Sequence, residues 1–197
     1  ARTASCPLVG GDTTKSPHGV TITVTVLGEV PMALALRRMA AQPNDDIWLT
    51  GQLGAPALAL QALMHPGSIS DSLLAASRSS LEQPLPPFEF APHLLGYAHA
   101  GIDISDGLLQ DLGHVLDASR CGAQLYWDQL PIHASLSKLD ESEQLNYVLS
   151  GGDVFQLCFT APKQHHAYLL QLAAQHNITL SRIGVITSAS GLQLVDQ

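Results

Sequence analysis

The sequence predicts an α+β fold in which strands and helices form layers, and three observations carry that prediction. Residues 20–26 alternate Val20, Ile22, Val24 and Val26 with Thr21, Thr23 and Thr25, the period-two pattern of a half-buried strand. Further along, an apolar strand pattern ending at Ile104 gives way to Leu108, Leu109, Leu112, Val115 and Leu116 at helical spacing. From there to the C-terminal end, strand and helix patterns alternate without the regular βαβ unit of a doubly wound sheet, which favours a layered α+β arrangement.

The elements follow in order. Gly28-Glu29-Val30-Pro31 interrupts the first strand pattern. Strand character returns at 47–50, and helices are predicted over 57–64 and 70–81. Residues 84–92 are proline-rich, and Pro84-Leu85-Pro86-Pro87 stands alone as a stiff loop. A strand over 100–105 leads into a helix over 107–118, with Gly122 placed to end it as a left-handed cap. A strand at 123–127, a helix at 141–149, a strand at 154–160, a helix at 163–176 and strands near 179–186 and 191–195 complete the pattern.

Composition narrows the function classes. The 197 residues carry a formal charge of −8, with nine Lys and Arg that are dispersed along the chain. A nucleic-acid surface needs such residues clustered, so no nucleic-acid partner is expected. Apolar residues make up 46% of the chain, yet no apolar run reaches membrane-spanning length, and no membrane association is expected. Residues 1–10 lack a secretory pattern. Cys6, Cys121 and Cys158 have no C-x-x-C spacing, which predicts reduced thiols and a cytoplasmic protein; Cys158 is expected to pack in its strand. The nine histidines are scattered without paired i,i+4 spacing, so solvated or core roles are expected for them.

The chemistry concentrates in three short segments. In Ala100-Gly101-Ile102-Asp103-Ile104-Ser105-Asp106-Gly107-Leu108, a strand delivers Asp103 and Asp106 to a helix N-terminus. Free backbone N–H groups and the macrodipole there are expected to favour an anion. The carboxylates would repel it unless a hard cation intervened, and Mg²⁺ sits characteristically between one or two carboxylates and substrate phosphates. The competing role for Ser105 or Asp106 is simply to cap the helix. Leu8-Val9-Gly10-Gly11-Asp12-Thr13-Thr14 places another carboxylate behind two glycines, and Leu149-Ser150-Gly151-Gly152-Asp153 repeats the design. Glycines let backbone approach a ligand closely, and hydroxyls donate to phosphate oxygens. No G-x-x-x-x-G-K-[ST] element occurs, which excludes a P-loop site.

Taken in order, Gly-Gly-Asp-Thr-Thr, Ile-Asp-Ile-Ser-Asp-Gly-Leu and Leu-Ser-Gly-Gly-Asp followed by Leu157-Cys158-Phe159-Thr160 resemble the thiamine-monophosphate kinase family of the aminoimidazole-ribonucleotide-synthetase-like superfamily. Asp46-Ile47-Trp48-Leu49-Thr50-Gly51-Gln52-Leu53-Gly54 and Gln110-Asp111-Leu112-Gly113-His114 extend the resemblance over nearly the whole chain. It implies a two-domain synthetase-like architecture, with residues 1–33 a remnant of the N-terminal domain and 34–197 most of the C-terminal domain. It implies ATP-dependent phosphorylation of thiamine monophosphate to thiamine diphosphate, with Mg²⁺ held by Asp12, Asp103 and Asp106. Gly11, Arg38 and Ser105 would contact ATP, Asp153 would lie on the thiamine-phosphate side, and the protein would be a homodimer. A phosphate acceptor is already anionic near neutral pH, so no acid or base residue is required.

The chain also departs from the family pattern. Where the family has Gly-Gly-Glu-Asp-Tyr-Glu-Leu, this chain reads Gly151-Gly152-Asp153-Val154-Phe155-Gln156-Leu157, losing two acidic positions. The family's Gly-Asp-Ser turn is Gly54-Ala55-Pro56, and an arginine after the Pro-x-Pro segment is Pro87. The family's region before Leu8 and its aromatic-rich tail beyond Val195 are absent, so kinase activity is expected to be impaired in these 197 residues alone. A catalytically silent nucleotide-binding fragment or divergent paralogue is one alternative. Another is a superfamily member with a different substrate.

Overall fold

The computed structural model describes residues 6–196, and the chain divides into two units, residues 1–35 and 36–197. In the second unit six strands form one sheet in the order β2-β4-β1-β5-β3-β6. The strands are β1 (Asp46–Thr50), β2 (Ala100–Asp103), β3 (Gly122–Tyr126), β4 (Leu157–Ala161), β5 (Leu180–Thr187) and β6 (Gly191–Val195). All neighbouring pairs are antiparallel except β3 with β6. The helices are α1 (Ala55–Met64), α2 (Asp71–Glu82), α3 (Leu108–Ser119), α4 (Glu141–Ser150) and α5 (His166–Gln175).

Strand β1 lies inside the sheet and all its residues are buried, which explains its unbroken Ile47-Trp48-Leu49 run. Alternate side chains point to opposite faces, so Ile47 and Leu49 join Ile102 and Cys158 with Leu58 of α1, Leu112 and Val115 of α3 and Val148 of α4. Trp48 joins Phe159 with Phe90, Leu94 and Leu169 and Leu172 of α5 on the other side. Helices thus cover both faces of the sheet in an α+β architecture. The buried carboxylates near β1 are partnered, as burial demands: Asp46 accepts from Arg182 Nε at 2.7 Å, and Asp45 accepts from the Gln42 N–H and lies 2.9 Å from His99 Nδ1. Cys158 packs in β4, where burial and then the nearby Asp111 push its thiol up to about 12.

Three expectations are corrected. Residues 20–26 form no strand: Val20, Ile22, Val24 and Val26 are all exposed. Alternation gives a segment two faces but supplies neither a ladder partner nor a surface to cover the apolar one, and a lone strand is unstable in water. Gly122 does not cap α3. Arg120 takes the left-handed conformation at φ 56°, and the N–H groups of Arg120 and Cys121 donate to Asp117 O and Leu116 O. The helix is therefore already closed when Gly122 opens β3. The strand expected over 154–160 begins only at Leu157, because Asp153 and Phe155 have positive φ values of 61° and 52° that leave the strand region. Among the described residues no helix is long and apolar enough to cross a membrane.

Candidate functional site

The antiparallel pairing of β2 with β4 continues beyond the sheet. Ile104 N–H donates to Gln156 O at 2.8 Å, Phe155 N–H to Ile104 O at 2.8 Å, and Asp153 N–H to Ser105 O at 2.9 Å. Two of the three motif segments are thereby zipped together, Asp103–Gly107 against Ser150–Gln156. The close approach needs glycine on both sides. Gly107 has φ 125°, and a Cβ there would lie 2.8 Å from Ser150 O; a Cβ on Gly152 would collide with Ser105 O.

This geometry turns Asp103 and Asp106 outward. Both side chains are exposed; Asp103 ends β2, and Asp106 Oδ2 accepts from Gln110 Nε2 at 3.1 Å. Neither has a basic partner among the described residues. Ser105 and Asp153 are half-buried. No group of three His, Cys, Asp or Glu that could hold a metal occurs among the described residues. Two unpaired hard-oxygen carboxylates nevertheless fit Mg²⁺, which binds through one or two such groups plus phosphates.

Neither Ser105 nor Asp106 caps α3, and the N–H groups beside them are not free for an anion. The N-cap is Gly107, with no side-chain cap of its own. Instead Asp111, buried on the inner face of the helix, accepts at one oxygen from the N–H groups of Ser105, Asp106 and Gly107 at 2.9, 3.0 and 3.1 Å. Asp111 was visible in the sequence as an acid between Leu108, Leu112 and Val115 on the apolar stripe. A carboxylate there must find buried donors, and that is the signal that identifies it.

The other candidates are Gly11, Asp12 and Arg38. Gly11 and Asp12 belong to the first unit and are exposed; Asp12 Oδ1 accepts the N–H of Thr13 at 2.7 Å. Arg38 is exposed in a short 3₁₀ turn whose carbonyl accepts from Ser119 Oγ at 2.9 Å. Its backbone therefore sits at the far end of α3, roughly 20 Å along the helix from Asp106 at 1.5 Å rise per residue.

Two clefts meet at Gln156. Its Oε1 accepts from Thr50 Oγ1 at 2.8 Å and its Nε2 donates to Leu85 O at 3.0 Å, so the side chain ties the proline-rich loop to β1. On one side, a mainly apolar cleft of about 170 Å³ is bordered by Asp103, Pro87, Phe88 and Phe155. On the other, a cleft of about 350 Å³ is lined by Gln52, Ser79, Gln83, His133 and Thr179. His133 Nδ1 accepts the Ser135 N–H at 3.2 Å, and burial lowers its pKa. The larger cleft is therefore polar but uncharged near neutral pH.

Residues 42–197 match the family described as AIR synthase related protein, C-terminal domain. The chain is 36% identical over 185 residues to thiamine-monophosphate kinase of Haemophilus influenzae, covering 93% of this chain and 56% of that protein. The crystal structure of thiamine-monophosphate kinase from Stenotrophomonas maltophilia superposes with a TM-score of 0.77 at 35% identity, covering 85% of this chain and 55% of that one. AaThiL, solved in complex with AMPPCP and TMP, superposes at 0.68 and 24% identity over 81% of this chain and 50% of that one. The chain spans a little over half the length of the curated relatives it matches.

The loop contact predicts a specific sensitivity. Gly152→Ala should cost about 2 kcal/mol through overpacking and lower Tm by roughly 5 °C. Gly113→Ala, whose added methyl meets nothing within 4 Å, should melt no lower than wild type. Thermal denaturation of both variants checks this, and a Gly152→Ala that melts like wild type would mean that the two loops do not touch.

Proposed function

The chain belongs to the AIR synthase related protein family, matching its C-terminal domain over residues 42–197, and from that premise we propose that it is the nucleotide-binding part of a thiamine-monophosphate kinase. The observation that carries the proposal is the pair of outward, unpaired carboxylates, Asp103 and Asp106, fixed at the end of β2 by the loop zipper. Relatives carrying that name and the AaThiL complex with AMPPCP and TMP support the substrate assignment.

In this proposal Asp103 and Asp106 hold Mg²⁺, which when bound would offset the negative charge of ATP phosphates; the family resemblance alone would add Asp12. Ser105 and Arg38 contact ATP, Arg38 from the far end of α3 and so away from the phosphate oxygens that share the cation with Asp106; the family resemblance alone would add Gly11. Asp153 faces the thiamine-phosphate side. The transferred group passes directly from ATP to the acceptor phosphate, and this chain's residues act by positioning both and by excluding water, with no general base. By the family resemblance residues 1–33 belong to a first domain and 34–197 are most of the second. The protein works in the cytoplasm. Turnover is reduced, because Val154 is buried and the Gln156 amide is spent on Thr50 and Leu85. Neither offers the acidic group that the family pattern has there.

Asp106→Asn should weaken Mg-ATP binding by roughly tenfold or more, since loss of even an outer partner of a metal site costs about 10- to 100-fold. Calorimetric titration measures it, and equal affinities would remove Asp106 from the site.

The protein is further proposed to be a homodimer that covers the apolar side of residues 20–26, whose Val20 and Ile22 are 90% and 82% exposed, by pairing with a second copy. Light scattering across a dilution series should show a dimer that Val24→Lys dissociates. A monomer mass at every concentration would end this part of the proposal.

A further inference from the structure

We propose that Asp111 is the positioning residue of the nucleotide site: it is a built-in anion that fills the nest of N–H groups at Ser105, Asp106 and Gly107, and so leaves phosphate capture there to a cation. The inference rests on the proposed cation site at Asp103 and Asp106, and its geometric core stands on the fold alone. Three successive backbone N–H groups converging on one point form a concavity that binds anions. Here all three point at Asp111 Oδ2, at 2.9, 3.0 and 3.1 Å, and Asp111 is 2% exposed. Its own N–H donates to Gly107 O at 2.9 Å, so side chain and backbone clasp the loop together. Charge-assisted bonds of this kind are stronger than neutral ones. Its burial places the carboxylate beneath the loop rather than in solvent.

Two consequences follow for chemistry. A phosphate arriving at the Ser105–Gly107 loop finds these three donors taken and two exposed carboxylates beside them, a surface that repels it until a cation is bound. The loop backbone is also held in one conformation, with φ 125° at Gly107, in which Asp103 and Asp106 both face out. Asp111 touches no substrate in this scheme. It acts on the cation site by fixing the loop that carries Asp106.

Chemical rescue separates this role from ordinary packing. Asp111→Ala deletes a carboxylate and leaves a space of formate size. Amide hydrogen exchange at residues 105–107 should then accelerate roughly 10- to 100-fold, the range given by the worth of hydrogen bonds to a charged group. Saturating formate should restore the protection, and formamide should not. Mn²⁺ affinity, measured by calorimetry, should fall and recover in parallel. Unchanged exchange in Asp111→Ala, or protection that formate does not restore, overturns the proposal. If Asp111→Ala does not fold, the isosteric Asp111→Asn decides: faster exchange confined to residues 105–107 supports it, and wild-type exchange overturns it. Wild-type protein that binds no Mn²⁺ at all would overturn the cation-site proposal, while the exchange experiment would still judge the nest.

Discussion

The hydrogen bonds that carry the β2–β4 ladder past the end of the sheet, from Ile104 to Gln156 and Phe155 and from Ser105 to Asp153, determine everything else at the site. They take a strand end that would otherwise fray and tie it to a second loop from a distant part of the chain. The pairing has a conformational cost. Asp153 and Phe155 both sit at positive φ, and strain of that kind costs about 1 kcal/mol or more per residue. The three hydrogen bonds and the burial of Val154 between the strained residues offset it. Strain held in place by surrounding structure is a recurrent property of functional loops, and here it lies beside two glycine- and aspartate-containing segments that the ladder brings together.

Electrostatics gives the arrangement its direction. The core of the second unit contains carboxylates, but each has its own donors: Asp46 has Arg182, Asp45 has Gln42 and His99, and Asp111 has three backbone N–H groups. Asp103 and Asp106 are different, since among the described residues no basic side chain pairs with them. In a chain with a formal charge of −8, such carboxylates on a fixed loop form a local negative field that an external divalent cation would relieve. A bound cation would also invert the sign of that field, which reconciles an acidic surface with a polyanionic ligand.

Most of the fold was legible because periodicity and burial agree in the second unit. The strand read at 47–50, the helices read at 57–64 and 70–81 and the junction of strand 100–105 with helix 107–118 come from apolar spacing, and each observed element lies within two residues of those bounds. What was not legible depends on partners distant in sequence. The alternation of residues 20–26 was a true amphipathic pattern, but a strand exists only in a ladder. The left-handed Arg120 won the cap from Gly122 because the helix carbonyls were satisfied two residues earlier. At the site, the outward carboxylates could be read from the motif, whereas the Asp111 clasp and the Gln156 tie require knowing which loops meet. The identity of Asp111 as an acid on an apolar stripe was the one sequence signal that something must bind it.

Paramagnetic mapping with Mn²⁺ tests the central claim most directly, because it reports where a divalent cation goes without requiring turnover. The cation should broaden backbone amide signals of residues 103–107 and 152–153 first, and Asp106→Asn should abolish that pattern while leaving the rest of the spectrum in place. Broadening centred elsewhere, such as at the adjacent rings of His93 and His176, with residues 103–107 unaffected, would contradict the account.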